Sequence, residues 1–440
     1  MSKYIIVAIS IWFIGCSNNN SSTDAGDSLI DPPSHNEHLI RPICEKKQSL
    51  VREDLQAASA AQTFEEFVSP LIRDQFVTPT EKVGAFSWPQ IDDDLDFDNF
   101  ELAINRQLRK FSQGLPGGTI RLGTDEYPLN FAVKSLERIK ELVVEFGQCA
   151  VKSGRASCLR TFSRTLKSEF NMYRPKLTST DPRFGEDKTA FFTGYYTPLI
   201  HASAQKSLKY SHAIYGLPGD NNSRRATRTQ IDFDGALENQ ALELHYTADL
   251  FDLYMAHIQG NAKIEFDDDK RPGIYLNYDG TNGQRFQFIS TYMMKNGLID
   301  NDSIEAQRSF LNENPGRQKE VYANCPSYVY FRPVSHPPTG NSGVSVTGNR
   351  SIATDTRYYA FKGLVSFIVS ERPDPDQSSE KSCDTVKFKS FSRFFIDQDT
   401  GGAIRGKARA DIFFGEGEYA EFAASNQAEK GNIYFLMLKR

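Results

Sequence analysis

The sequence predicts a mainly β protein with N-terminal helices, its strands closing into β-barrels. Three observations predict this. Apolar residues at helical spacing gather between about residues 100 and 172. From about residue 190, short aromatic and β-branched runs alternate with Gly, Asn, Asp and Pro. Those runs are not separated by regularly alternating helices, as a doubly wound parallel sheet would require. With 440 residues, 39% hydrophobic and 12% aromatic, the chain can bury more than one core.

The elements follow in order. Lys3 precedes an apolar run ending at Gly15 that is too short to span a bilayer and has the shape of a secretory signal. It closes in Phe13-Ile14-Gly15-Cys16, which resembles a lipobox. Residues 1–15 are therefore expected to be a signal peptide and Cys16 the lipidated residue. Residues 16–42, rich in Ser, Asn, Asp and Pro, are expected to be a flexible tether. Ser17 after the cysteine favours an outer-membrane lipoprotein facing the periplasm.

Phe100, Ile104, Leu108 and Phe111 share one helical face, which Gly114 and Pro116 stop. Leu136, Ile139, Val143 and Phe146 repeat the pattern up to Gly147, and residues 159–172 continue it. Strand-like runs follow at 191–196, 264–266 and 286–292. Helices are expected at 247–258 and at 302–313, the latter opened by Asp302-x-x-Glu305. The last hundred residues read as β, at 358–370, 386–396, 410–414 and 433–438. The acidic run 92–96 fits no calcium loop and reads as a solvated approach to a helix.

Composition removes several classes of function. A net charge of −5 supplies no basic footprint for nucleic acid. The histidines and cysteines show no HExxH or CxxC spacing, so no metal or other cofactor is expected. With Cys16 acylated, five cysteines remain: Cys44, Cys149, Cys158, Cys325 and Cys383. Cys149 and Cys158 are near enough in sequence to bridge in an oxidising compartment.

The segment most able to carry chemistry is 398–415. Asp399 stands before Gly401-Gly402, and Asp411 heads an apolar strand between Ala410 and Ile412. An aspartate is unfavourable in a strand, and partial desolvation raises its pKa toward that of a usable acid. Gly401, Gly402 and Gly406 permit tight turns beside a ligand. Paired carboxylates are the general glycosidase arrangement, although Asp-Thr-Gly-Gly is equally a turn signal. Gly415 to Ala420 matches a dinucleotide-binding pattern but has too little chain after it. No GxSxG or P-loop is present. His257 lies late in a helical stripe and reads as packed.

The 398–415 segment closely resembles the signature of the membrane-bound lytic murein transglycosylase A family, with its three-aspartate ("3D") domain. Five further segments match the family collinearly. They are Phe192 to Pro198 (FTGYYTP), Ile214 to Pro218 (IYGLP), His257 to Gly260 (HIQG), Cys325 to Phe331 (CPSYVYF) and Arg350 to Asp355 (RSIATD). The resemblance implies a double-psi β-barrel domain with a second β-barrel domain inserted into it. Residues 43–196 would hold the helical part and the start of the catalytic domain, 197–335 the insertion, and 336–440 the 3D part. It implies glycan strands of peptidoglycan as the substrate, with the membrane reached only through the lipid anchor. The catalytic aspartate matches Asp411 and its close partner Asp399. Thr193, Tyr195, Tyr196, Gln259 and Asp355 are the substrate-binding candidates, with Asp355 also expected to shape the barrel. The sequence departs from the family at Cys325, Asn261, Arg405 and the stretch 356–363. Two other readings stay open: a hydrolytic glycosidase using both aspartates, and a non-catalytic peptidoglycan-binding lipoprotein.

Overall fold

The computed structural model describes residues 75–177, 189–267, 271–377, 386–401 and 404–440. The expected signal peptide, Cys16 and the tether lie outside the described residues, as do Cys44, Cys383 and Gly402.

Strands β1 (Gln75–Thr78) and β2 (Thr80–Lys82) lead into helix α1 (Phe100–Ser112), which buries Phe100, Ala103, Ile104 and Gln107. Strands β3 (Thr119–Leu122) and β4 (Asp125–Pro128) complete a small sheet with β1. Helix α2 (Asn130–Ser153) does not stop at Gly147 but runs to Gly154, where φ is +80°. A glycine inside a helix costs only about 1 kcal/mol, which the packed stripe from Leu136 to Phe146 outweighs. A Cys149–Cys158 disulfide, with Cα atoms 5.7 Å apart, ties the end of α2 to helix α3 (Arg155–Glu169). The helical stretch expected to reach residue 172 ends at Glu169. Phe170 and Met172 instead belong to strand β5 (Phe170–Pro175), buried and paired antiparallel with a long C-terminal strand.

Strand β6 (Ala190–Thr197) is buried along its whole length. The chain then leaves for a second sheet built from β7 (Leu199–Ser203), β8 (His212–Tyr215), β9 (Glu243–Thr247), β10 (Asn261–Phe266), β11 (Ile274–Thr281) and β12 (Val329–Val334). Its order is β12-β11-β10-β7-β9-β8, and the two outer strands, β12 and β8, lie near one another. Helix α4 (Leu250–Gln259) packs on it and is capped by the Asp249 side chain. Residues 286–292, expected as a strand, belong mostly to helix α5 (Ile289–Lys295), whose buried Ile289, Ser290 and Met293 follow helical spacing. Helix α6 (Ile304–Glu313) is capped by Ser303, which accepts from the Ala306 N–H, rather than by Asp302.

The chain returns through β13 (Ser351–Thr354), β14 (Val365–Pro373), β15 (Phe388–Asp399), β16 (Arg409–Glu416) and β17 (Ala428–Leu438). Helix α7 (Glu418–Asn426), absent from the all-β expectation for this region, lies between the last two. The strand expected from residue 358 starts only at Val365. The ladder β14-β15-β13-β16-β6-β17 closes on itself through β14–β17 pairing, giving a six-stranded barrel with β5 and β2 extending beyond β17.

The acidic run is solvated only in part: Asp94 and Asp96 are exposed, while Asp93 is fully buried. Arg350 Nη1 and Nη2 donate to Asp93 at 2.7 and 2.9 Å, with both side chains fully buried. Asp94 receives Arg393, and Asp92 and Asp96 receive Arg155. The run clamps the approach to α1 onto β15 and onto the residue that opens β13.

Candidate active site

The local register brings the two candidate carboxylates to one place. Ala353 on β13 pairs with Asp411 on its antiparallel neighbour β16 and with Asp399 on its parallel neighbour β15. On the far side of β16, Asp411 pairs with Thr193 and Phe413 with Tyr195. Because side chains alternate along a strand, Thr193, Tyr195, Asp411, Phe413 and Ala353 share one face. Tyr195, Ala353, Phe413, Val346 and Ile404 form the small apolar cluster beside it.

Tyr195 OH donates to Asp399 Oδ2 at 2.9 Å, although β6 and β15 are separated by two intervening strands. Three interstrand spacings measure about 14 Å along a flat sheet. The hydroxyl reaches the carboxylate because the barrel curls that face inward. The Asn341 and Thr400 N–H groups donate to Asp399 Oδ1 at 2.9 and 2.8 Å. Three donors therefore converge on one carboxylate that is 0% exposed. Burial pushes the Asp399 carboxyl up to about 7, against the pull of those hydrogen bonds and of Lys362.

Asp411 is 1% exposed, a more complete burial than its sequence context implied. Its Oδ1 accepts from the Thr193 hydroxyl and, at 2.7 Å, from Arg409 Nη1. Arg409 is itself buried, with its guanidinium over the Phe191 ring. Beside Asp399 on its own strand, Asp397 takes Lys362 Nζ at 2.9 Å and the Thr354 hydroxyl at 2.8 Å. Burial raises the Asp397 carboxyl, while Lys362 opposes the rise.

The other candidates fall elsewhere. Asp355 Oδ2 accepts from Gly406 N–H at 2.8 Å and also pairs with Arg357. It thus pins the loop between the two aspartates. Tyr196 is one residue out of phase with Tyr195, so its ring enters the main core and its hydroxyl donates to Glu421 at 3.3 Å. It thus lies on the opposite face of β6 from Thr193 and Tyr195. Gln259 Oε1 accepts from Tyr196 N–H at 3.4 Å, where the second sheet meets the barrel. Lys263 and Tyr275 reach Glu416 across the same junction. His257 is buried against Arg228, Tyr328 and Phe331, as its stripe implied.

Sequence reasoning missed Arg409 and Asn341. Arg409 could have been found, since it precedes Asp411 by two residues and so shares its face. Asn341 acts through its backbone, which no side-chain pattern reveals.

The family model described as the MltA specific insert domain matches residues 191–332, and that of the 3D domain matches residues 350–437. The chain is 28% identical over 261 residues to membrane-bound lytic murein transglycosylase A of Vibrio cholerae, covering 58% of this chain and 68% of that protein. It is 30% identical over 249 residues to the Escherichia coli protein of the same name, covering 56% of this chain and 65% of that one. A crystal structure of E. coli MltA with bound chitohexaose superposes with a TM-score of 0.61 at 21% identity, covering 86% of this chain and 98% of that one. The last likeness is one of fold.

Proposed function

This chain is an enzyme of the membrane-bound lytic murein transglycosylase A family, and from that premise we propose that it cleaves the β-1,4 bond between N-acetylmuramic acid and N-acetylglucosamine in peptidoglycan, leaving a 1,6-anhydromuramic acid end. The observation that carries the reading is the register of Asp399 and Asp411 on either side of Ala353, both buried in one barrel face. The barrel is proposed to be of the double-psi kind. Residues 197–335 are proposed as the inserted domain, and the junction between the sheets as the groove that takes the glycan.

In this mechanism Asp411 protonates the glycosidic oxygen as the bond to the anomeric carbon breaks. Its carboxylate, held by Thr193 and Arg409, then takes the proton of the muramyl C6 hydroxyl. That oxygen closes on the same anomeric carbon, so the proton count balances and no water is consumed. An aligned intramolecular hydroxyl acts at an effective concentration on the order of 10⁵ M or more, against about 55 M for water. A site as dry as this one widens that margin. The Asp399 carboxylate, with Tyr195 behind it, stabilises the positive charge that develops on the ring. Gln259, at the junction, is proposed to hold a sugar hydroxyl.

Cell-wall turnover, and attachment to the outer membrane through Cys16, belong to the same proposal. Among the described residues no helix is long and apolar enough to cross a membrane. Mass spectrometry of the products released from purified sacculi tests the chemistry. Anhydro-muropeptides support it, and reducing ends turn it into a hydrolysis.

A further inference from the structure

The segment 338–346 lies across the end of the barrel face that carries Asp399. A bridge between Thr339 and Ser345 closes it into a loop. Arg106 Nη1, from α1, donates to Val346 O at 2.9 Å and to Thr347 Oγ1 at 2.8 Å. At the tip, Asn341 N–H donates to Asp399 Oδ1 at 2.9 Å and Ser342 N–H to Gln398 O at 2.8 Å. Gly340 lies so close that a Cβ there would sit 2.7 Å from Gln398 O and 3.3 Å from Asp399 Cβ. The loop therefore rests directly on the strand beneath Asp399.

One contact comes from the other sheet. Thr339 N–H donates to Asn277 Oδ1 at 3.1 Å. Asn277 stands on β11, opposite Asn261, and is 1% exposed. The path from the second sheet to the carboxylate is Asn277, Thr339, the tight Gly340, then the Asn341 N–H.

We propose that Asn277 is a positioning residue for Asp399, holding the loop so that the seating of the second sheet on the barrel sets how the Asn341 N–H meets the carboxylate. The proposal rests on the catalytic reading above. A hydrogen bond weakens steeply as its angle and distance degrade, so a small displacement of the loop changes how well the Asp399 anion is stabilised. The titratable and charged groups facing Asp399 are Tyr195 from β6, Lys362 from the segment before β14, Asp397 on its own strand, and Asp411 with Arg409 on β16. Arg106 and Lys110 of α1 face the loop itself. Substituting Asn277 removes none of them.

The test uses the full chain and purified glycan strands, with kcat and KM measured across pH. Asn277→Ala withdraws the acceptor, and Gly340→Ala pushes the loop off Gln398 from the opposite end of the path. Both are expected to lower kcat about tenfold, the worth of one degraded charge-assisted hydrogen bond, with KM little changed. Both are also expected to move the acid limb of the kcat profile to higher pH, because the Asp399 anion has lost support. Asn277→Gln, which keeps an uncharged acceptor oxygen, is expected to restore part of the limb. A lowered kcat with an unmoved limb in both variants overturns the proposal, as does a raised KM with kcat intact. Should wild type yield reducing ends, the lytic reading falls, while a shifted limb still upholds the positioning role.

Discussion

Replacing Asp399 with Asn is expected to stabilise the protein, and to do so only above mildly acidic pH. Burial raises the Asp399 carboxyl from its ordinary 3.8 to about 7 in the folded chain. Below about pH 4 the group is neutral in both states, so no ionisation cost is left for Asn to relieve. Between about pH 4 and 7 the unfolded chain releases the proton and the folded chain keeps it, so wild-type stability falls as pH rises. The interval is roughly three pK units, which sets a ceiling of about 4 kcal/mol. The amide oxygen can still accept from the Asn341 and Thr400 N–H groups. The amide nitrogen, however, faces a Tyr195 hydroxyl that must turn from donor to acceptor, a loss of about 1–2 kcal/mol. The net gain at pH 8 is thus about 2–3 kcal/mol, turning into a loss of about 1–2 kcal/mol near pH 4, where only the hydrogen-bond loss remains. Urea unfolding of both proteins at several pH values reads it directly. A variant destabilised by the same amount at pH 4.5 and pH 8 would refute the idea that Asp399 is held against its solvation for function.

Other outcomes follow from the same structure. Arg350→Met leaves Asp93 charged and buried without its bidentate partner, at a cost of about 3–5 kcal/mol, and adding Asp93→Asn, which removes the charge but keeps an acceptor for the Leu95, Phe97 and Phe394 N–H groups, should recover part of it; denaturant midpoints of the single and double variants check this. Reducing the Cys149–Cys158 bridge, which joins residues nine apart, should cost about 2–3 kcal/mol, seen as a lower melting temperature in reductant. Tyr195→Phe removes a donor from the Asp399 anion, so the acid limb of kcat/KM, expected near pH 7 in wild type, should move up by at most about one unit. A profile that does not move would sever Tyr195 from that titration.

Much of this architecture is written in local pattern. The stripe of Phe100 and Ile104 became a buried helix face, and the aromatic run 191–196 became a barrel strand buried along its whole length. Boundaries failed where a tertiary contact outweighed a local signal. Gly147 did not stop α2, and Phe170 left the helical stripe to pair with β17. Residues 286–292 were ambiguous because a short apolar run has no period long enough to separate strand from helix. In the site, the Asp399 and Asp411 pair was visible as carboxylates in a glycine frame. Their meeting across Ala353 was not, because it depends on a parallel and an antiparallel partner from distant parts of the chain. Tyr196 parts from Tyr195 for a simpler reason: neighbours in a strand face opposite ways. The buried Asp93–Arg350 pair was illegible because an acidic run looks alike whether it meets water or an arginine 257 positions away.

The central claim is that Asp411 carries both proton transfers, and one measurement tests it most directly. Asp411→Asn keeps the shape of the side chain and an acceptor for Thr193 but cannot cycle a proton. The variant should be compared with wild type for release of anhydro-muropeptides from purified sacculi, with far-UV circular dichroism and glycan binding recorded on the same samples. The account predicts a folded, glycan-binding protein whose release rate falls by at least about 10²–10⁴-fold. A folded Asp411→Asn protein that releases anhydro-muropeptides at a near-normal rate would contradict it.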